Sequence, residues 1–266
     1  MSASRTKPLQ SAKRKKASPS DKFQQLLWGD KDAISHDLSL FQEISPHLQL
    51  RHHARAKRLA LRLDVKKRVV FLTIPKRTSL RSAHKFALEH QKWIRDRIEE
   101  LPQQVTLEHG NIIPLFGQKY QINITYDTTL RKTDISLKNN EIVVLTNKEN
   151  VSSRIRRFIV NLAHQELSAL AHEKAKTLGK TLNGVDVKDT TSRWGSCSHD
   201  GYISLSWRLA FASSDAYDYV VAHEVAHLAH MDHSPAFWKQ CAALCNNYVR
   251  GKAWMKINAQ ELLRYS

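Results

Sequence analysis

Cysteine is scarce. Three residues, Cys197, Cys241 and Cys245, are spread through 266. An odd number with no framework spacing rules out a disulfide scaffold and points to a reducing compartment. No run approaches the roughly 18–20 apolar residues that a membrane helix needs. The opening "MSASRTKPLQSAKRKKASPS" has no apolar core after its charges, so it does not read as a secretory signal, and the cytoplasm is the expected location. There is no P-loop, no Asp-rich Mg²⁺ motif, no zinc finger and no internal repeat. Acidic side chains are also few: 25 Asp and Glu face 42 Lys and Arg, for a net charge of +17.

The basic excess is uneven. Residues 1–100 are net +13 and residues 101–266 net +4. Such charge attracts nucleic acid, anionic membrane or acidic protein without sequence selectivity, or serves solubility alone. Residues 1–20 hold six basic and no acidic side chains, too polar to bury the surface that ordering requires. Residues 1–50 therefore read as a basic, largely disordered extension, with Trp28, Leu40 and Phe41 as local anchors. Weak, non-specific contact with nucleic acid, supplied mostly by residues 1–100, is the partner this charge suggests.

From Lys57 the pattern becomes β-like. "RLALRL" and "RVVFLTI", separated by "DVKK", predict a hairpin that Pro75 ends. Ser79 can cap a helix running to Leu101, with a stripe of Ala83, Phe86, His90, Trp93, Ile94, Ile98 and Leu101. Strands return in "NIIPLFG" and "YQINITY". "DISLK" and "EIVVLT" flank Asn139-Asn140, a hairpin turn. After Ser153 the chain turns helical as far as Gly179, a C-cap. "GYISLSW" is a short strand, and "ISLS" within it is a candidate edge for binding an extended peptide. Ser213, Ser214 or Asp215 can cap a helix through the histidine-rich stretch, and Ser234-Pro235 starts another. The expected architecture is α+β, with a β-rich module over 51–150 packed on a helical module over 151–266. No stretch rich in Gly, Ser or Pro between about 145 and 155 would separate the two.

"HEVAHLAHMDH", residues 223–233, carries the chemistry. His223 and His227 are four apart, so a helix stacks both imidazoles on one face. Glu224 points about 100° away, where it can hold an ion-bound water without being a ligand itself. This HExxH spacing supplies two ligands and one general base in one helical turn. Its neighbours Val225, Ala226 and Leu228 are apolar, and unpaired polar groups there would be costly. A catalytic zinc takes three protein ligands and one open position. His230 and His233 are the candidates for the third; the chain turn signalled by "MDHSP" favours His233. Arg193, Trp194 and Ser196 are candidates for substrate or transition-state contact. His164 and His172 read as polar-face residues of a helix.

The stretch "SRWGSCSHDGYISLSWRLAFASSDAYDYVVAHEVAHLAHMDHSPAFW" resembles the signature of the YgjP-like metallopeptidases, bacterial zincins allied to the SprT-like and WLM proteases. "RWGSC", the strand ending at Trp207, "DYVVAHEVAH" and "HSPAFW" carry the resemblance over about fifty residues. "IPKRTSL" and the "KWI" of the next helix are similar to the family's N-terminal region. The resemblance implies a zincin-like metallopeptidase module with zinc as cofactor, His233 as third ligand and Glu224 as general base. Asp232 stands where the family usually has Asn. Position 230 carries His where a metzincin has Gly. Two other classes stay in view: a metal-dependent nucleotide phosphohydrolase, and a nucleic-acid-associated protein with a non-catalytic metal site.

Overall fold

A computed structural model describes residues 39–265. The expectations for residues 1–38, Trp28 among them, lie outside that range. The fold is α+β. Its compact units divide the described residues as 39–63 with 69–96, and 64–68 with 97–265.

The first unit holds strands β1 (Leu48–His53), β2 (Ala60–Asp64) and β3 (Val69–Pro75) in the order β1-β3-β2. β1 and β3 are parallel, from Leu48 opposite Val70 to His53 opposite Pro75. β2 lies beside β3, where the hairpin was expected. Alternation buries Leu48, Val70, Leu72 and Ile74, and Phe41, Ala83, Ala87 and Ile94 are buried in the same unit. The predicted single helix from Ser79 to Leu101 is two: α1 (Leu80–Glu89) and α2 (Gln91–Glu99). Ser79 caps α1 by accepting from the Ser82 amide at 3.2 Å. The break falls at His90, whose Nδ1–H donates to the Phe86 carbonyl at 2.8 Å. That takes the carbonyl the His90 amide would use in a continuing helix, and the amide turns to Ala87 instead.

The second unit contains β4 (Ile112–Leu115), β5 (Gln118–Tyr126), β6 (Asp134–Lys138) and β7 (Glu141–Thr146), ordered β4-β5-β7-β6. Pro114 is tolerated because β4 is an edge strand. Asn139 and Asn140 both have positive φ, 49° and 62°. These are the values a tight turn between right-twisted strands requires, and β6 and β7 pair antiparallel across it.

The long helix α3 (Ser152–Leu178) lays Ile155, Ile159, Ala163, Leu167, Ala171 and Ala175 along one stripe. Gly179 ends it in the left-handed conformation, φ 69°. A second sheet follows: β8 (Gly184–Lys188), β9 (Gly195–Cys197) and β10 (Tyr202–Ser206) in the order β8-β10-β9. "ISLS" is therefore the central strand and not the edge. β10 has β8 parallel on one side and β9 antiparallel on the other, so the edges of this sheet are β8 and β9. The alternation of Ile203 and Leu205 with Ser204 and Ser206 fits either place, and only the pairing decides it.

Helix α4 (Ser214–Ala226) leads into the histidines, α5 (Pro235–Ala243) begins at the Ser234 cap with Pro at its first position, and α6 (Tyr248–Asn258) crosses α4. The crossing is close because Gly251 has no side chain: a Cβ there would lie 2.1 Å from the Asp215 carbonyl oxygen. No helix among the described residues is long and apolar enough to cross a membrane.

Candidate metal centre

Helix α4 ends within the histidine-rich stretch it was expected to run through. It stops at Ala226, and His227 is its C-cap residue. The chain then leaves the helical path through 228–233 before Ser234 opens α5. His223 and Glu224 thus sit on the last helical turn and His227 at its end. His233 reaches the site from the return of the chain.

This path brings together His223, His227 and His233, whose ring nitrogens lie within 4.8 Å of one another. Nε2 of His223 and Nε2 of His233 are 3.2 Å apart. Two nitrogens bound tetrahedrally to one zinc at about 2.0–2.1 Å would stand roughly 3.3–3.4 Å apart. His227 Nδ1–H donates to the His230 carbonyl at 2.9 Å, which fixes the tautomer and leaves Nε2 as a lone-pair donor. His230 thus takes part through its backbone, and its ring is not in the cluster. His164 and His172 lie on α3 outside it, His172 bonded to the Ser168 carbonyl.

The surroundings keep His223 and His227 neutral. Burial, then the neighbouring His227, His233 and Lys252, lower the His223 pKa to about 4. Burial lowers that of His227 as well. Neutral imidazoles are the form that binds a cation. Phe237, fully buried, stacks on His227 with centroids 4.5 Å apart and meets His223 edge-on at 4.9 Å. Trp238 lies 5.5 Å from the His233 ring. A donor set of three converging imidazole nitrogens with an apolar wall fits a zinc-type ion.

Glu224 is 6% exposed. Burial raises its pKa to about 7, with the charge of Arg193 pulling the other way. Its carboxyl lies over the backbone of Gly195: a Cβ built there would come within 2.5 Å of Glu224 Cγ and Oε1. The glycine of "RWGSC" is therefore the floor on which the carboxylate rests. Of the three residues singled out as substrate contacts, Arg193 is exposed, and Trp194 is half-buried against the core. Ser196 is half-buried on β9, opposite Ser204. A cleft of about 490 Å³ borders His227 and is lined by Asn183, Ser198, His199, Asp200 and Met231.

Some of this support was not readable in advance. Lys252 places its ammonium 4.2 Å from the Trp238 ring centroid and donates to the Tyr248 hydroxyl at 3.0 Å. Nothing in "YVRGKAW" marks those residues, because the Gly251 contact that brings α6 to α4 is tertiary.

Converging imidazoles beside a buried carboxylate fit the class of metal-dependent hydrolases. A family model described as YgjP-like, metallopeptidase domain, matches residues 57–258, and the chain belongs to the YgjP-like metallopeptidase family. Neither curated proteins nor solved structures gave a match.

Proposed function

We propose that this chain is a zinc-dependent peptidase in which His223, His227 and His233 hold the ion and Glu224 is the general base. The observation that carries the reading is the pairing of the three-histidine cluster with one buried, proton-hungry carboxylate on the same turn. Zinc, when bound, supplies Lewis acidity that brings the pKa of a water to about 7 and polarises a scissile carbonyl.

The remaining steps belong to the protein. The Glu224 carboxylate accepts the proton of the attacking water and delivers it to the departing amine. Its elevated pKa suits both halves of that task, since a group near the working pH takes and returns a proton with little loss. The His230 carbonyl holds His227 in the tautomer that presents Nε2. The edge strand β9 supports binding of an extended peptide by strand addition, with Ser196 on that strand. Arg193, whose charge reaches Glu224, is placed to steady negative charge that develops beside it. The three free cysteines support a reducing compartment such as the cytoplasm.

Metal analysis and casein turnover of the purified chain test the reading together with Glu224→Gln. That variant should keep its zinc and lose about 10²–10⁴-fold in turnover, the usual range for a general base. Full activity in Glu224→Gln would remove both the base and the mechanism.

A further inference from the structure

The first unit carries a positive patch that plays no part in the centre just described. Strand register gathers it. β1 and β3 are parallel and end together, His53 opposite Pro75. β2 is joined to β3 by residues 65–68, a link too short for a parallel crossover. β2 therefore runs opposite to β3 and starts at the end where β3 stops. The connection from β1 to β2, residues 54–59, and the segment leaving β3, residues 76–79, share one rim of the sheet. Arg55, Lys57 and Arg58 lie in the first, Lys76 and Arg77 in the second, and Arg81 in the first turn of α1. All six are exposed. None makes an ion pair among the described residues.

The rim is one-signed by sequence as well as by place. Between Glu43 and Glu89 the chain has a single acidic residue, Asp64, and it closes β2 at the opposite end of the sheet. Six uncompensated cations on one edge repel one another, and an ordinary solvated face intersperses both signs. The surface thus suits a partner that brings a row of negative charges. A bilayer is a poorer match, because interfacial binding also wants apolar side chains to insert. The exposed large hydrophobics of this unit, Leu88 and Trp93, belong to α1 and α2 and not to the two rim segments. Four of the six cations are arginines, the side chain whose planar fork matches phosphate best.

We infer that this rim is a nucleic-acid-binding surface that grips the phosphodiester backbone. It reads no sequence, since no base-contacting element accompanies it, and it acts independently of the metal centre.

The test uses the full chain in fluorescence anisotropy with a labelled 24-nucleotide oligo-dT and a 24-base-pair duplex, titrated at several salt concentrations. The rim variant carries Arg55→Gln, Lys57→Gln, Arg58→Gln, Lys76→Gln and Arg77→Gln. A matched control removes as many charges from the second unit: Lys119→Gln, Lys132→Gln, Lys138→Gln, Lys148→Gln and Lys180→Gln. Circular dichroism and the thermal midpoint verify that both fold. If all five rim cations meet phosphates, the salt slope should fall by about 4.5 for the duplex or 3.5 for the single strand. Affinity at low salt should fall at least tenfold, and the control should stay within threefold. Whichever nucleic acid shows the larger loss identifies the form the rim prefers. Equal losses in both variants would reduce the effect to bulk charge and overturn the proposal. So would an unchanged slope, no binding by the parent chain, or binding of phosphatidylserine vesicles in place of nucleic acid. A single arginine or lysine restored to the rim variant should recover part of the slope, which separates lost contacts from a disturbed fold.

Discussion

Gly195 shows how much one missing side chain can matter. The Glu224 carboxyl occupies the space a methyl group would take. Because the clash is with the far end of a flexible side chain, Gly195→Ala should fold and bind zinc but push the carboxyl off its position. Misplacing a catalytic group by an ångström can cost about a hundredfold, so casein turnover should drop at least tenfold with metal content and thermal midpoint little changed. Turnover within twofold of the parent would mean that the carboxyl has room to spare. A parallel comparison tests the proposed third ligand. His233 brings a ring nitrogen to the cluster and His230 a backbone carbonyl. His233→Ala should therefore empty most of the zinc site, and His230→Ala should leave it nearly full, as read by metal analysis. The opposite ranking would sink the ligand assignment. At this scale the grouping was legible: residue spacing picks out the imidazoles that converge and the carboxylate next to them in sequence. The floor under the carboxylate was not, because Gly195 and Glu224 are 29 residues apart and only the meeting of β9 with α4 explains the glycine.

Between elements, one carboxylate does much of the joining. Asp189, just past β8, receives Lys66 at 3.0 Å, Arg156 of α3 at 2.7 Å, and Arg208 of the 3-10 turn Trp207–Phe211. Trp207 Nε1–H adds a bond at 3.3 Å. Arg208 is 1% exposed, so its charge depends on this partner and on the Tyr265 carbonyl. Partial burial raises the Asp189 pKa, but bonds and charges from Arg208 and Lys66 outweigh it and hold the group at about 2. A depressed pKa stabilises the fold above the unfolded value near 4, and that contribution is lost as pH falls from about 4 through 2. Breaking a buried pair from one side costs about 3–5 kcal/mol. Discounted for the exposed part of Asp189, Asp189→Asn should cost roughly 2–3 kcal/mol at pH 7 and flatten the acid limb of stability. Denaturant midpoints at pH 7, 4 and 2.5 measure both; an acid limb as steep as the parent's would assign it to other carboxylates. Sequence patterning served some elements well. Asn139-Asn140 supplied the positive φ of its turn, and Gly179 the left-handed cap. It failed where a side chain competed with the backbone, as at His90, and where pairing order mattered, as for "ISLS", because amphipathic period records a buried face and not which neighbour covers it.

For the chain as a whole, the change from strands to helices near residue 150 is a change of secondary structure, while the cores follow another division. Ile113, Leu115, Ile122, Ile142 and Val144 of the β4–β7 sheet share one buried cluster with Ile155 and Ile159 of α3 and Val221 of α4. That sheet therefore belongs with the metal helix, and the compact unit comprises residues 64–68 and 97 to the end of the described chain. Each of those five aliphatic side chains contributes about 1.5–3 kcal/mol by burial, so separating the sheet from the helices would forfeit about 8–15 kcal/mol. That equals the whole stability of an ordinary domain. Limited proteolysis should accordingly leave the bond region around residue 150 intact until the unit has unfolded, and early cuts should fall N-terminal to residue 97. A fragment of residues 151–266 made alone should show low solubility, bind a hydrophobic dye and lack a cooperative melt, with no tightly held zinc. A fragment that melts cooperatively and retains the metal would show that the helices fold without the sheet, and would return the boundary to the position the change of pattern suggests.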